Sequence, residues 1–184
     1  MVRIDTVVTR GGDRGQTSLG DGARVGKDAP RIEALGAVDE ANAAIGLLRC
    51  AVADAPETDA MLARIQNDLF DVGADLSVPG PAGDRLRVTA VPIDRLEVEI
   101  AALNAGLPPL TSFVLPAGTE AAARAHVARV VVRRAERAVV RLAAVEVLNP
   151  ELVRYLNRLS DHVFVLARAF NADGAGDVLW VPGG

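Results

Sequence analysis

Cysteine is almost missing from this chain. Cys50 is the only one in 184 residues, which excludes an intramolecular disulfide and any metal site built on paired thiolates. One cysteine fits a reducing, cytoplasmic setting, and its place in an apolar stretch predicts a small core residue. Aromatic residues are scarce too, at 3%, although half the chain is hydrophobic. Ala, Val and Leu make up that half, which favours helix packed on helix over a sheet sandwich. No stretch of about 18 uncharged apolar residues exists, so no membrane-spanning helix is predicted. Met1-Val2-Arg3-Ile4-Asp5 places an acid early with no apolar run behind it, which argues against an ordinary secretory signal. Excess positive charge is also lacking. The net charge is -4 and the pI about 5.2, so general binding to nucleic acid or to a membrane surface is not expected. Lysine is the last scarcity: Lys27 stands alone against 19 arginines. It lies beside a Gly-rich stretch, and an ammonium is a compact point charge suited to phosphate oxygens.

What is present has a clear order. Residues 1–30 contain Gly11, Gly12, Gly15, Gly20, Gly22 and Gly26, a density incompatible with a regular helix. The stretch reads as an ordered loop around a binding site or as a flexible tail. Asp28-Ala29-Pro30 then opens a helix, with Asp28 as its predicted cap. Leu35, Val38, Ile45, Leu48 and Val52 form its stripe. A second helix restarts at Pro56 and carries Met61, Leu62, Ile65, Leu69, Val72 and Leu76 up to the Pro/Gly run at 78–83. A third runs from about Pro92 to Ala105 with Ile93, Leu96, Ile100 and Leu103 inward. Thr111 to Gly118 reads as an extended linker. The longest helix, from Thr119 to about Val147, is expected to bury Val127, Val130, Val131, Val139 and Leu142. Asn149-Pro150 opens a fifth, to about Phe170, on Leu152, Leu156, Leu159, Val163 and Leu166. Gly174 to Gly184 reads as a tail. The pattern predicts an all-α, five-helix bundle in one domain spanning 1–184, with a loop at 1–30 and the bundle over about 31–173.

Polar residues recur on helical faces. Arg129, Arg133 and Glu136 share one face of the fourth helix, Asn157, Asp161, Phe164 and Arg168 one face of the fifth, and Asp39 and Asn42 lie one turn apart on the first. Each set reads as a site or as a solvated face. Arg124, Arg129, Arg133, Arg134, Arg137 and Arg141 crowd one helix of an acidic protein, which calls for an anionic partner, either a phosphate or the carboxylates of a neighbouring subunit. The Gly-rich segment lacks the common phosphate-loop pattern. Its glycines still let N–H groups converge on an oxygen, Thr9, Thr17 and Ser18 add hydroxyls, Arg10 and Lys27 add charge, and Asp13 suits a loop-orienting or Mg²⁺-binding role. His126 and His162 have no ligand partner one turn away and read as packed or surface residues.

Five ordered blocks resemble a known family. Thr9-Arg10-Gly11-Gly12-Asp13-Arg14-Gly15-Gln16-Thr17 is similar to the T-R-x-G-D-x-G-x-T segment of the PduO-type ATP:cob(I)alamin adenosyltransferases. Val25-Gly26-Lys27-Asp28 with Arg31-Ile32-Glu33 follows, then Gly36-Ala37-Val38-Asp39-Glu40 with Asn42 and Gly46. Ser112-Phe113-Val114-Leu115-Pro116 and the run from His126 to Arg137 come next. Asn149-Pro150, Tyr155 to Asp161 and Phe164 to Arg168 complete the match, which covers about residues 3–173. Ala117 replaces a frequent Gly, and Gly26 a frequent Ser.

The resemblance implies a ferritin-like five-helix bundle that assembles as a homotrimer with active sites between subunits. It implies a transferase of cobalamin biosynthesis that moves the 5′-deoxyadenosyl group of ATP to Co(I) of a reduced corrinoid, releasing triphosphate. The nucleotide-binding set would comprise Thr9, Arg10, Gly11, Gly12, Asp13, Gly15, Thr17, Ser18, Lys27, Arg31, Arg129, Arg133, Glu136 and Asn157, with Glu136 on the magnesium that accompanies ATP. Arg129 would pair with Asp39 across the subunit boundary, and Arg133 would act on the nucleotide. Phe113 would pack under the corrin and keep the lower axial position of cobalt empty. A flavin reductase and an adenosylcobalamin-dependent mutase are the partner classes implied.

Overall fold

The computed structural model describes residues 5–81 and 83–184. Met1 to Ile4, which carry most of the leader reading, and Ala82 lie outside the described residues. Five helices follow a small N-terminal hairpin. Strands β1 (Gln16–Ser18) and β2 (Arg24–Gly26) precede α1 (Pro30–Cys50), α2 (Pro56–Leu76), α3 (Val91–Asn104), α4 (Glu120–Ala143) and α5 (Glu151–Phe170). The strands pair antiparallel with Thr17 opposite Val25. Among the described residues, no helix is long and apolar enough to cross a membrane.

Helix α4 is the hub, packed on α1 along one side and α5 along the other, while α2 covers α1 and α3 covers α5. Its inward positions explain this. Ala122, Ala125, Ala128, Ala135 and Ala138 are buried there with Val132, Val139 and Leu142, and small side chains let helix backbones approach closely. The larger partners come from outside. Ile45, Leu48, Leu62, Leu69, Leu96, Leu156 and Leu159 are at most 1% exposed, and truncating any one to Ala removes about 2–5 kcal/mol. The only tyrosine, Tyr155, is fully buried and donates its hydroxyl to Asp68 at 3.2 Å.

Several details differ from expectation. Val127 and Val130 are about half exposed; the core stripe of α4 follows the angular position of its alanines and not the size of its valines. Cys50 is exposed at the end of α1. Asp28 does not cap α1, whose N-cap is Ala29 with no side-chain bond. Thr119 does cap α4, accepting from Ala122 N–H. Asn149 accepts from Glu151 N–H at 3.1 Å and donates to Asp75 and to the Val88 carbonyl, tying the start of α5 to α2 and to the loop before α3. The last residues are not a free tail: Val114 and Leu179 form an antiparallel bridge, so the C-terminal segment straps the 111–118 linker.

Candidate functional site

The N-terminal segment is ordered by its own backbone. Asp13 N–H donates to Arg10 O at 3.3 Å, Gly15 N–H to Gly12 O at 3.1 Å and Lys27 N–H to Gly15 O at 2.8 Å. Gly20 N–H reaches Ser77 O at 2.8 Å and pins the hairpin to the end of α2. Arg24 crosses the loop, donating to Gly11 O at 2.7 Å and to Ser18 Oγ at 3.1 Å. Nothing in the sequence singled out Arg24; its role depends on the hairpin register that sets it opposite Ser18. Among the described residues, the N–H groups of Gly11, Gly12 and Arg14 have no backbone acceptor. A Cβ added at Gly12 would sit 3.0 Å from Lys27 Nζ, so glycine here lets the only ammonium close on the loop. Amides without a backbone acceptor beside a cation are groups that suit an anion. Thr9, Arg10 and Asp13 are exposed along it.

Below the hairpin lies a cavity of about 530 Å³ lined by Thr17, Ser18, Asp39, Asn42 and Phe70. Asp39 is exposed, and among the described residues it has no cationic partner. Phe70, 72% exposed on α2, was missed because an aromatic in an amphipathic helix carries no signal of its own.

Helix α4 presents the second group. Arg129, Arg133, Arg137 and Arg141 recur every four residues, hence along one stripe. Among the described residues none of them meets a carboxylate. Arg133, Glu136, Arg137, Arg141 and Asn157 line a groove of about 490 Å³, in which Asn157 Nδ2 donates to Glu136 Oε1 at 3.1 Å. One turn away, Arg129 enters a cavity of about 590 Å³ whose aromatic walls are Phe113, Phe164 and Trp180. The Arg129 guanidinium stands 5.8 Å from the centroid of the Phe164 ring, a cation–π distance. Burial first, and then the Arg133 cation, push the Arg129 pKa down, and its Nε is buried without an acceptor. An arriving anion or carboxylate relieves both costs. His126, read from the sequence as a packed or surface residue, is buried beneath with its ring 6.2 Å from Phe164 and neither nitrogen bonded. Burial, then Arg129, lowers its pKa.

Phe113 projects from the linker with 78% exposure, and Trp180 lies against it at 6.0 Å between centroids. One expected ligand is placed elsewhere. Arg31 is buried; its guanidinium pairs with Glu146 and donates to Leu76 O at 2.5 Å. It ties α1 to the ends of α2 and α4 and is not open to a phosphate. Arg129 and Asp39 do not meet within one chain, since no ion pair joins them and they line different cavities. A further hollow of about 630 Å³ at the α4–α5 connection, lined by Val145, Glu146, Val147, Leu148 and Val153, holds none of the expected site residues.

No group of three or more His, Cys, Asp or Glu that could hold a metal occurs among the described residues. A magnesium carried by ATP needs less, because it keeps waters and phosphate oxygens and takes one or two carboxylates. Glu136, half-buried at the groove beside Arg133, fits that requirement.

The profile of the cobalamin adenosyltransferase family matches residues 7–170. A cobalamin adenosyltransferase of Cupriavidus metallidurans is 51% identical, with 97% of this chain and 95% of the relative aligned. A corrinoid adenosyltransferase of Mycobacterium tuberculosis is 52% identical over 100% of this chain and 96% of its own length. Among solved structures, a Phe-to-Ala variant of a PduO-type ATP:corrinoid adenosyltransferase from Lactobacillus reuteri, complexed with cobalamin and ATP, superposes with a TM-score of 0.89. The two are 34% identical, and 95% of this chain and 99% of that one are covered. An Arg-to-Lys variant of the same enzyme, complexed with ATP, gives 0.88 at 35% identity, over 95% and 100%.

Proposed function

This chain belongs to the cobalamin adenosyltransferase family, and from that membership together with its site geometry we infer that it transfers the 5′-deoxyadenosyl group of ATP to Co(I) of a reduced corrinoid. The products are adenosylcobalamin and triphosphate. Co(I) supplies the electron pair, a cobalt–carbon bond forms at C5′, and the C5′–O bond breaks as its electrons leave with the triphosphate. The corrinoid carries the difficult chemistry. The protein has to align C5′ with cobalt, stabilise the departing anion and keep water out.

The observation that carries this reading is an adjacency on α4. One turn separates Arg129, in an aromatic-walled cavity large enough for part of a macrocycle, from Arg133, in a cationic groove. A flat hydrophobic reactant and a polyanionic leaving group are thereby set side by side. Arg133 and Asn157 hold the nucleotide, Glu136 holds its Mg²⁺, and Phe113 covers the lower face of the corrin. The loop from Thr9 to Ser18 with Lys27 cradles the triphosphate.

One chain supplies two incomplete halves. Among the described residues Asp39 has no cation and Arg129 no carboxylate, and complementary charges left open on one protein are satisfied by a second copy. The exposed Leu47, Val127 and Val130 on α1 and α4 add apolar surface for that contact. The assembly is a homotrimer with each site between subunits, working in the cytoplasm, where an electron donor such as a flavin reductase keeps cobalt reduced. An adenosylcobalamin-dependent mutase is the class of enzyme that takes the product. The test is an anaerobic assay with ATP and chemically reduced cobalamin, followed in the visible spectrum. Formation of a light-sensitive Co–C product supports the reading, and its absence overturns it.

A further inference from the structure

We propose that the C-terminal strap is a positioning device for Phe113, with Trp180 as its packing residue and the Arg168–Asp177 pair as its anchor. The proposal rests on the reading of the Phe113 cavity as the corrinoid site. Phe113 is 78% exposed on a linker with no regular structure of its own. A ring so placed explores several rotamers unless something packs on it. The strap is what packs. Trp180 N–H donates to Phe113 O and Leu115 N–H to Val178 O, both at 2.8 Å. Ser112 Oγ donates to Trp180 O at 2.8 Å, and the indole lies 6.0 Å from the Phe113 ring at an interplanar angle of 60°. That tilted pairing is the favourable one for two aromatic rings.

The strap is itself fixed from below. Arg168 Nε donates to Asp177 Oδ2 at 2.7 Å, with 6% and 3% of the side chains exposed. The same guanidinium reaches Pro108 O at 2.8 Å, ahead of the linker. Asn171 donates to Ala117 O at 3.2 Å and accepts from Thr119 N–H at 3.0 Å, behind it. Gly118, at φ +103°, is needed there because a Cβ would collide with the Asn171 amide. One buried polar cluster at the end of α5 therefore holds both ends of the linker and the strap that crosses its middle. Loss of the strap frees the ring to swing, and an axial ligand then returns to the lower face of Co(II), which makes its reduction harder.

The test uses the full-length protein with ATP and Co(II) corrinoid. Wild type, Phe113→Ala, Trp180→Ala and Trp180→Phe are compared for the fraction of four-coordinate Co(II), by electronic and paramagnetic spectra, and for kcat and KM. Trp180→Ala is expected to lose most of the four-coordinate signal. Its kcat with Co(II) and a biological reductant should fall by roughly 3- to 10-fold, the rate equivalent of one aromatic pair. KM for ATP should stay within about twofold. The deficit should shrink when Co(I) is supplied already reduced, and Trp180→Phe should restore most of the signal. If Trp180→Ala folds poorly, Ser112→Ala, which cuts one tie and leaves both rings, should shift the signal in the same direction. A four-coordinate fraction unchanged in Trp180→Ala, or in Ser112→Ala where that variant stands in, while Phe113→Ala abolishes it, overturns the strap and leaves the Phe113 reading intact. Failure of wild type to form any Co–C product overturns the functional reading and the strap with it.

Discussion

From Thr9 to Lys27 the candidate binding groups are set by backbone turns, whereas from Arg129 to Asn157 they are set by helix periodicity on a packed core. The first region has few ties: the hairpin, the Gly20–Ser77 contact and the Arg24 side chain. The second inherits the rigidity of α4, whose inner face is buried along its whole length. The loop is therefore held mainly by its own backbone bonds, with one backbone tie to the end of α2. The α4 stripe is a charged surface whose shape is secure. The proposed roles follow that difference: a fixed charge beside the breaking C5′–O bond is assigned to the second region, and affinity for the triphosphate to the first.

The sharpest way to separate the two is Arg133→Ala. It should lower kcat by about 10²–10³-fold, the usual cost of one charge-stabilising donor, while stability shifts by no more than about 0.5 kcal/mol because the side chain is exposed. A variant that is destabilised but fully active would contradict this division of labour. Next in size is the link between the halves. Asp39→Arg and Arg129→Asp should each impair activity by tenfold or more, and the double variant should recover roughly 1–2 kcal/mol of coupling if the pair meets across copies. Strictly additive losses would break the two-copy arrangement. Arg24→Ala probes the loop alone: KM for ATP should rise about 3- to 10-fold with kcat nearly constant, the worth of a charged donor on an exposed carbonyl. An equal fall in kcat would mean that the loop shares in the chemistry.

The smallest effect concerns pH. Burial, then Arg129, holds His126 below its ordinary value of 6.5, with Asp177 offsetting part of the shift. The unfolded chain therefore takes up that proton first, so this contribution to stability is complete above about pH 6.5 and drains away as pH falls below it. Between pH 7 and 5 the wild type should lose more melting temperature than His126→Gln. Parallel pH profiles would remove His126 as the cause.

Much of the fold was legible. Leu62, Ile65, Leu69, Val72 and Leu76, or Leu152, Leu156, Leu159, Val163 and Leu166, stand at helical spacing and are buried as that spacing predicts. The stripe failed on α4, where alanine fills the close helix–helix seams and the bulkier Val127 and Val130 face outward. It failed on Cys50 for the same kind of reason: a small apolar residue at a helix end carries no sign of which way it points. Arg31 was misplaced because an arginine beside a Gly-rich loop and one bridging helix ends look alike until Glu146 and the Leu76 carbonyl are seen beside it. Trp180 and Asp177 were invisible because their partners, Phe113 and Arg168, belong to other segments.

By itself the sequence determined the five helices, the Gly-rich segment with its lone lysine, and the order of blocks that marks the family. These are local or periodic properties, written in spacing along the chain. Only the tertiary structure decided which arginines stay unpaired and which are committed to a carboxylate, and that Asp39 and Arg129 line separate cavities. It also decided that the last residues fold back on Phe113. Each of these depends on contacts between segments far apart in the chain, and residue spacing carries no information about such contacts.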